Sequence, residues 1–187
     1  MSELVGPFPQ GVDPDAYDRL RRRVLWSLPT GLFVIGSVGE LDGQRRHNLM
    51  TANLVLQVST DPKVVAVAVE AAAVTAALID SGRVFTVSVL KREDRAVVRR
   101  FVKPVTDVTV GPDGSPSAMA GEPVRAGSTG APILSAALAW VECRLHSSVP
   151  LGSHVLALGE VVDAGGLEGD GDLEILRMED TRMNYGG

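Results

Sequence analysis

Cysteine is nearly absent: Cys143 stands alone, so the chain has no internal disulfide and no thiolate pair at metal-ligand spacing. This fits a reducing compartment, and we expect a cytoplasmic protein in which Cys143 is a small buried hydrophobe on a strand. Excess positive charge is absent too. The 18 basic and 23 acidic residues leave a formal net charge of -5, with no footprint for nucleic acid or an anionic membrane. The one basic run, Arg19 and Arg21 to Arg23, suits a solvated helix face. No apolar stretch is long enough for a bilayer span of ~20 residues, because VVAVAVEAAAVTAALI is interrupted by Glu70 and Thr75. The start, MSELVGPFPQG, carries an acidic residue and prolines where a signal peptide needs a basic start and an apolar run. Export is not expected.

Chemical signatures are missing as well. There is no glycine fingerprint between a first strand and a helix, which argues against a Rossmann fold. No GxSxG surrounds Ser27, Ser59 or Ser128, which disfavours a nucleophilic hydrolase. His47, His146 and His154 lie far apart with no HxxxH or carboxylate spacing, so no metal centre is expected.

What is present is an ordinary globular composition, 45% hydrophobic and 22% charged, too apolar for disorder. At 187 residues, a single domain spanning 1–187 can hide roughly 70% of the surface its unfolded chain exposes. Asp13 as N-cap, Pro14 at the first helical position and Leu20, Val24 and Leu28 at helical spacing predict an amphipathic helix over about 13–28, stopping at Pro29. GLFVIGSV reads as a buried strand and GELDGQRR as its hairpin loop, with the next strand at about Ala52 to Ser59. KVVAVAVE is a β-branched run suited to a sheet interior. AAAVTAALIDSG is a short helix capped near Gly82, and RVFTVSVL returns to strand chemistry. KREDRAVVRRF suits a short charged helix. Residues 103–132, rich in Gly, Pro and Ser, read as a long loop, a lid or a subunit contact. ALAWVECRLHSSV and SHVLALGEVVDAG are further strands, followed by an acidic loop over Gly165 to Gly171 and a last short strand, LEIL. Short strands following strands argue for a mainly β fold, an antiparallel barrel or sandwich with a few short flanking helices.

The stretch RRHNLMTANLVLQVSTDPK sets Asn48, Thr51, Asn53, Gln57 and Ser59 among aliphatic strands. Side chains two apart share a face, so this polar row is either edge-strand and turn decoration or a set of hydrogen-bonding groups aimed at a polar ligand. His154 is a structural hydrogen-bonded residue or a proton donor. Thr75 is an ordinary helix-start threonine or part of an anion site at a helix N-terminus.

The ordered set PTG (29–31), NLMTAN (48–53), QVSTDP (57–62), a VAVE strand, a threonine-led helix, SGRVFTVSVL (81–90), TGAPIL (129–134), LAWVEC (138–143) and GSHVLALGEV (152–161) resembles the flavin reductase-like family. The YGG ending is similar to tails of that family. The resemblance implies a homodimeric Greek-key split β-barrel that binds FMN or FAD near the subunit interface, uses NADH or NADPH, and supplies reduced flavin to a partner monooxygenase. It places the flavin against Thr30, against Asn48, Met50, Thr51, Ala52 and Asn53, and along Gln57, Val58 and Ser59, with the segment Glu70 to Thr75 near the phosphate. His154, in the family's histidine motif, faces the nicotinamide and assists hydride transfer or flavin protonation. Two departures stand out. Ala72, Ala73 and Val74 replace the cation that many relatives carry before the phosphate-side threonine, leaving phosphate to Thr75, backbone N–H groups or a distant Arg46, with exchangeable flavin. Ser153 replaces the acidic neighbour of the histidine. A non-catalytic flavoprotein or electron carrier is the alternative on the same barrel; a haem or deazaflavin module is a third.

Overall fold

The computed structural model describes residues 4–167, 174–181 and 183. Helix α1, Pro14–Trp26, begins where expected: the Asp13 carboxylate accepts the Ala16 N–H at 2.7 Å, satisfying one of the first-turn donors. It stops at Trp26, and its apolar stripe does not find the core. Leu20, Val24 and Leu28 are each more than half exposed, and Asp18 is the residue that is buried, held by Arg21 at 2.6 Å and Arg22 at 3.0 Å. Spacing gives a helix an apolar face; it does not guarantee that the same chain supplies the cover.

Strand β1, Phe33–Leu41, turns directly into β2, Gln44–Ala52, through Asp42 and Gly43 at φ 53 and 71. Two left-handed residues in an Asp-Gly pair make the hairpin turn whose twist matches antiparallel strands. The loop expected over GELDGQRR is therefore only these two residues, and RRHNLMTA is strand, paired throughout from Leu41↔Gln44 to Phe33↔Ala52. The strand expected at Ala52 to Ser59 is broken at Asn53 and Leu54, and β3, Val55–Thr60, starts beyond them. Strand β4 is Lys63–Glu70, followed by helix α2, Val74–Gly82, and strand β5, Val84–Val89. Arg83, at φ 59, and not Gly82, is the C-cap of α2. Gly82 is needed for a different reason, since a Cβ there would overlap the Val38 carbonyl.

KREDRAVVRRF forms two 3-10 turns, Arg92–Asp94 and Val97–Phe101, with Val98 and Phe101 buried. The long loop expected over 103–132 is instead a second antiparallel sheet of four short strands: β6 Val108–Val110, β7 Pro116–Met119, β8 Glu122–Ala126 and β9 Pro132–Leu134. Strands of three to five residues are too short to show a period of two. Met119, Val124, Ile133 and Leu134 are buried, so this sheet is packed, not a free lid. The long hairpin β10, Ala139–Leu151, and β11, His154–Gly166, completes the larger sheet. Of the expected last strand, LEIL, Leu173 lies outside the described residues; Ile175 forms an isolated bridge with Lys91, and Arg177, just beyond the segment, forms another with Gly31. The acidic loop beyond Leu167 and the YGG tail lie outside the described residues.

The larger sheet has seven strands in the order β2-β1-β5-β10-β11-β4-β3. Its two edges, β2 and β3, are joined by two residues, so the sheet must curl until the edges approach, which makes it a barrel. Ile35, Val67, Phe85, Cys143 and Ala157 belong to one buried cluster, while Val34, Leu49, Phe101, Met119 and Leu134 belong to another with the small sheet. Val34 and Ile35 point to opposite faces of β1, and both are fully buried. That is why β1 reads as an unbroken apolar run. Burial pushes the Cys143 thiol up to about 12, with Glu142 beside it adding to the effect.

Candidate active site

Between the end of β2, strand β4 and the start of α2 there is a cavity of about 530 Å³, within the roughly 300–1,000 Å³ typical of small-molecule sites. The end of β2 and its connection supply Asn48, Met50, Thr51, Ala52, Asn53 and Leu54. Strand β4 supplies Ala68 and Glu70, and the turn into α2 supplies Ala72 to Thr75. Phe101 to Pro104 and His154 complete the wall. Six of the ten residues expected at a flavin, Asn48, Met50, Thr51, Ala52, Asn53 and Thr75, thus converge, together with His154. Thr30 stands next to this group, its hydroxyl 3.4 Å from the Asn53 side-chain amide that donates to it. Gln57, Val58 and Ser59 do not line the cavity. They lie on the β3 edge beyond the break, with an irregular register between Gln57 and Ser59 and the Gln57 amide donating to the Ser59 carbonyl at 3.1 Å.

The polar row of the β2 segment is thereby resolved into two kinds of residue. Asn48 is buried and used at both ends: its Nδ2 donates to Thr75 Oγ1 at 2.9 Å, and its Oδ1 accepts the Val105 N–H at 2.9 Å. Thr51 Oγ1 donates to the Val98 carbonyl at 2.5 Å. These side chains brace the walls against one another. The first turn of α2 is built differently, because its N-cap is Ala73, which offers no side-chain acceptor. Its leading backbone N–H groups therefore lack the partner a Ser, Thr or Asp cap would supply.

His154 opens β11 directly opposite Glu70 of β4. Its Nδ1 is 2.9 Å from Ser153 Oγ, so the serine takes up the orienting position that an acidic neighbour would hold. Nε2 has no partner among the described residues. His47 does not line the cavity; burial, then the charge of Arg45, holds its imidazole below the usual range. Among the described residues no three His, Cys, Asp or Glu side chains form a metal-binding group.

Lys103 escaped the sequence reading, which took it as the first residue of a loop, whereas Glu70 entered it as the start of the Glu70 to Thr75 segment that the resemblance sets near the phosphate. Lys103 lies 50 residues or more from the NLMTAN segment, and no local pattern marks it. Arg46, the distant cation considered for phosphate, pairs with Asp42 at 3.5 Å beside the hairpin turn and does not line the cavity.

Residues 25–185 match the family described as "Flavin reductase like domain". The chain belongs to the flavin reductase-like family. An NADH-dependent FAD reductase of Streptomyces globisporus is 32% identical over 165 residues, covering 88% of this chain and 84% of that protein. A flavin reductase of Pseudomonas putida is 27% identical, covering 80% of this chain and 78% of its own. Among solved structures, the NADH:FAD oxidoreductase of Streptomyces globisporus superposes with a TM-score of 0.70 at 28% identity, covering 96% of this chain and 98% of that one. BorF, the flavin reductase component of a bacterial two-component tryptophan halogenase, superposes at 0.64 with 27% identity, covering 84% and 97%. This flavin reductase-like chain thus has the mainly β barrel expected of it.

Proposed function

We propose that this protein is an NAD(P)H-dependent flavin reductase that holds FMN or FAD in the 530 Å³ cavity and supplies reduced flavin to a partner monooxygenase. The observation that carries this reading is the convergence of the Asn48 to Asn53 segment, the uncapped start of α2 and His154 on one cavity. Its relatives support it: one is named as an NADH-dependent FAD reductase, and a superposable structure holds NAD and FAD fragments. The residues present fit a flavin. Apolar Met50, Ala52 and Leu54 offer contact for a flat ring, and the first turn of α2 offers unsatisfied N–H donors.

Bound flavin supplies the redox chemistry by accepting a hydride equivalent from the nicotinamide. The chain's part is positional. Asn48 and Thr51 keep the walls at fixed separation, the aliphatic lining excludes water, and His154, with Nδ1 held by Ser153, keeps Nε2 available at the rim as a proton-exchanging group. Cys143, buried and with its thiol raised to about 12, takes no part.

A homodimer belongs to the same proposal. Leu20, Val24 and Leu25 on α1, Leu28 just beyond it, and Leu54, Leu56 and Val58 at and before β3 are 47% to 67% exposed, apolar surface of the kind that marks an interaction site. A second copy is the cover we assign to it.

The test is oxidation of NADH or NADPH by the purified protein with and without added FMN or FAD. Oxidation that depends on added flavin is expected, and His154→Ala should slow it by about 100-fold with little change in flavin affinity. Protein that leaves both nicotinamides untouched in the presence of both flavins refutes the reading. A His154→Ala variant with unchanged rate and nicotinamide binding removes His154 from the reaction, and protein that binds flavin yet leaves both nicotinamides untouched favours the electron-carrier alternative.

A further inference from the structure

We propose that Lys103 is the anion-binding residue of the cavity and receives the flavin phosphate, replacing the cation missing from the start of α2. This rests on the flavin reading above. Residues 72 to 74, Ala-Ala-Val, give the turn before Thr75 no positive charge, and Arg46 is engaged elsewhere by Asp42. Among the described lining residues the charged or titratable groups are Glu70, Lys103 and His154. Glu70 is the register partner of His154. Lys103 alone of the three is a fixed cation, and among the described residues it has no ion-pair partner, whereas Lys91 pairs with Glu93 at 3.9 Å.

The backbone carrying Lys103 is held from both sides. Phe101, two residues before it, is fully buried, and Val105, two residues after it, donates its N–H to Asn48 Oδ1 at 2.9 Å. Further upstream, the Val98 carbonyl accepts from Thr51. The same Asn48 amide donates to Thr75 in the first turn of α2. One buried side chain therefore links the segment bearing the cation to the helix start bearing the free N–H groups. Two elements distant in sequence are brought to one cavity, with a flexible, strongly charged ammonium on one and backbone donors on the other. That combination suits a phosphate, which lysine binds as a point charge.

Riboflavin supplies the control, since it shares the ring and ribityl chain of FMN and lacks the phosphate. Dissociation constants for both would be measured by flavin fluorescence with wild type, Lys103→Met and Lys103→Arg, and thermal melts would confirm that the variants fold. For Lys103→Met we expect FMN affinity to fall about 10-fold, the lower end for a charge-assisted contact because the lysine is solvent-accessible, while riboflavin affinity stays within about twofold. Lys103→Arg should retain most of the preference for FMN, and added salt should erode that preference in wild type and Lys103→Arg but not in Lys103→Met. If Lys103→Met leaves the FMN-to-riboflavin ratio unmoved, whether both affinities fall or neither does, the lysine assignment is overturned while the flavin site stands. Wild-type protein that binds neither flavin overturns the flavin reading and the lysine assignment together.

Discussion

Replacing Asn48 by alanine should destabilise the fold out of proportion to the few atoms removed. The side chain is 3% exposed and joins β2 to residues 27 and 57 positions away, through Thr75 Oγ1 and the Val105 N–H. Each hydrogen bond contributes about 1 kcal/mol net, and a buried group left without a partner adds about 1–3 kcal/mol. Thr75 is 1% exposed and cannot recover its bond from water, whereas Val105 is half-buried and recovers part. The sum is about 2–4 kcal/mol, a large share of the 5–15 kcal/mol total stability of a typical domain. With a urea m-value of about 2 kcal/mol/M, the unfolding midpoint should fall by about 1–2 M. Asn48→Asp tests the chemistry: its carboxylate still accepts from Val105 and takes a bond from the Thr75 hydroxyl, so it should recover part of the loss. A cycle with Thr75→Val should show a coupling of about 1 kcal/mol. A midpoint for Asn48→Ala within about 0.3 M of wild type would refute the role of Asn48 as a brace.

Two further outcomes follow from buried contacts. Glu142 is 1% exposed and accepts the Ser128 N–H at 2.8 Å, the Thr129 N–H at 2.8 Å and the Thr129 hydroxyl at 2.7 Å. Burial works to raise its pKa, but the bonds from Thr129 and Ser128 outweigh it and hold the carboxyl below the usual range. Its stabilisation is therefore complete above the unfolded value of about 4.3 and is lost as pH falls through the lower folded value. Glu142→Gln, which turns an amide donor toward these donors, should cost about 2–4 kcal/mol at neutral pH and flatten the acid limb of stability measured by urea titration; an unchanged acid limb would count against it. Gly82→Ala should destabilise by about 1–3 kcal/mol despite the gain in helix propensity, because the clash is with the Val38 backbone carbonyl, which cannot rotate away; an unchanged or raised melting temperature would show that the α2–β1 contact is looser than it stands.

Much of the larger sheet was legible because its strands are long and chemically uniform. KVVAVAVE coincides with β4, and β5 is RVFTVSVL less one residue at each end. The hairpin at Asp42 and Gly43 was visible as a turn but misjudged in length, since the polar residues Gln44 to Asn48 look like loop and are strand. Burial settles that case: Asn48 and Leu49 face inward, while Gln44 to Arg46 extend an exposed ladder opposite Gly39 to Leu41. The small sheet was illegible for a different reason. Its strands are short and contain Pro116, Pro123 and Pro132, residues that remove ladder donors and read as loop. What anchors it is long-range: the Glu142 carboxylate on β10 grips the backbone at Ser128 and Thr129, and the Thr86 hydroxyl donates to the Pro132 carbonyl at 2.6 Å. No window of sequence contains both partners.

The same distinction governs the site. Asn48, Thr51 and Asn53 were picked out because polar residues amid aliphatic strands require partners, and that inference was sound in energy but silent on which partners. For Asn48 and Thr51 the partners proved to be the protein itself, at Thr75, Val105 and Val98. A polar residue conspicuous in sequence can therefore shape a pocket without touching what fills it. Lys103 shows the converse: it is inconspicuous in a loop-like stretch, yet it lines the cavity that the conspicuous residues hold open. If Asn48 sets the separation between the Lys103 segment and the first turn of α2, then Asn48→Ala should weaken FMN binding more than riboflavin binding, as Lys103→Met does, but with a loss of stability that Lys103→Met lacks. Loss of FMN preference in Lys103→Met with wild-type preference kept in Asn48→Ala would mean that the lysine finds the phosphate without the brace, and the mechanical link between them would have to be abandoned.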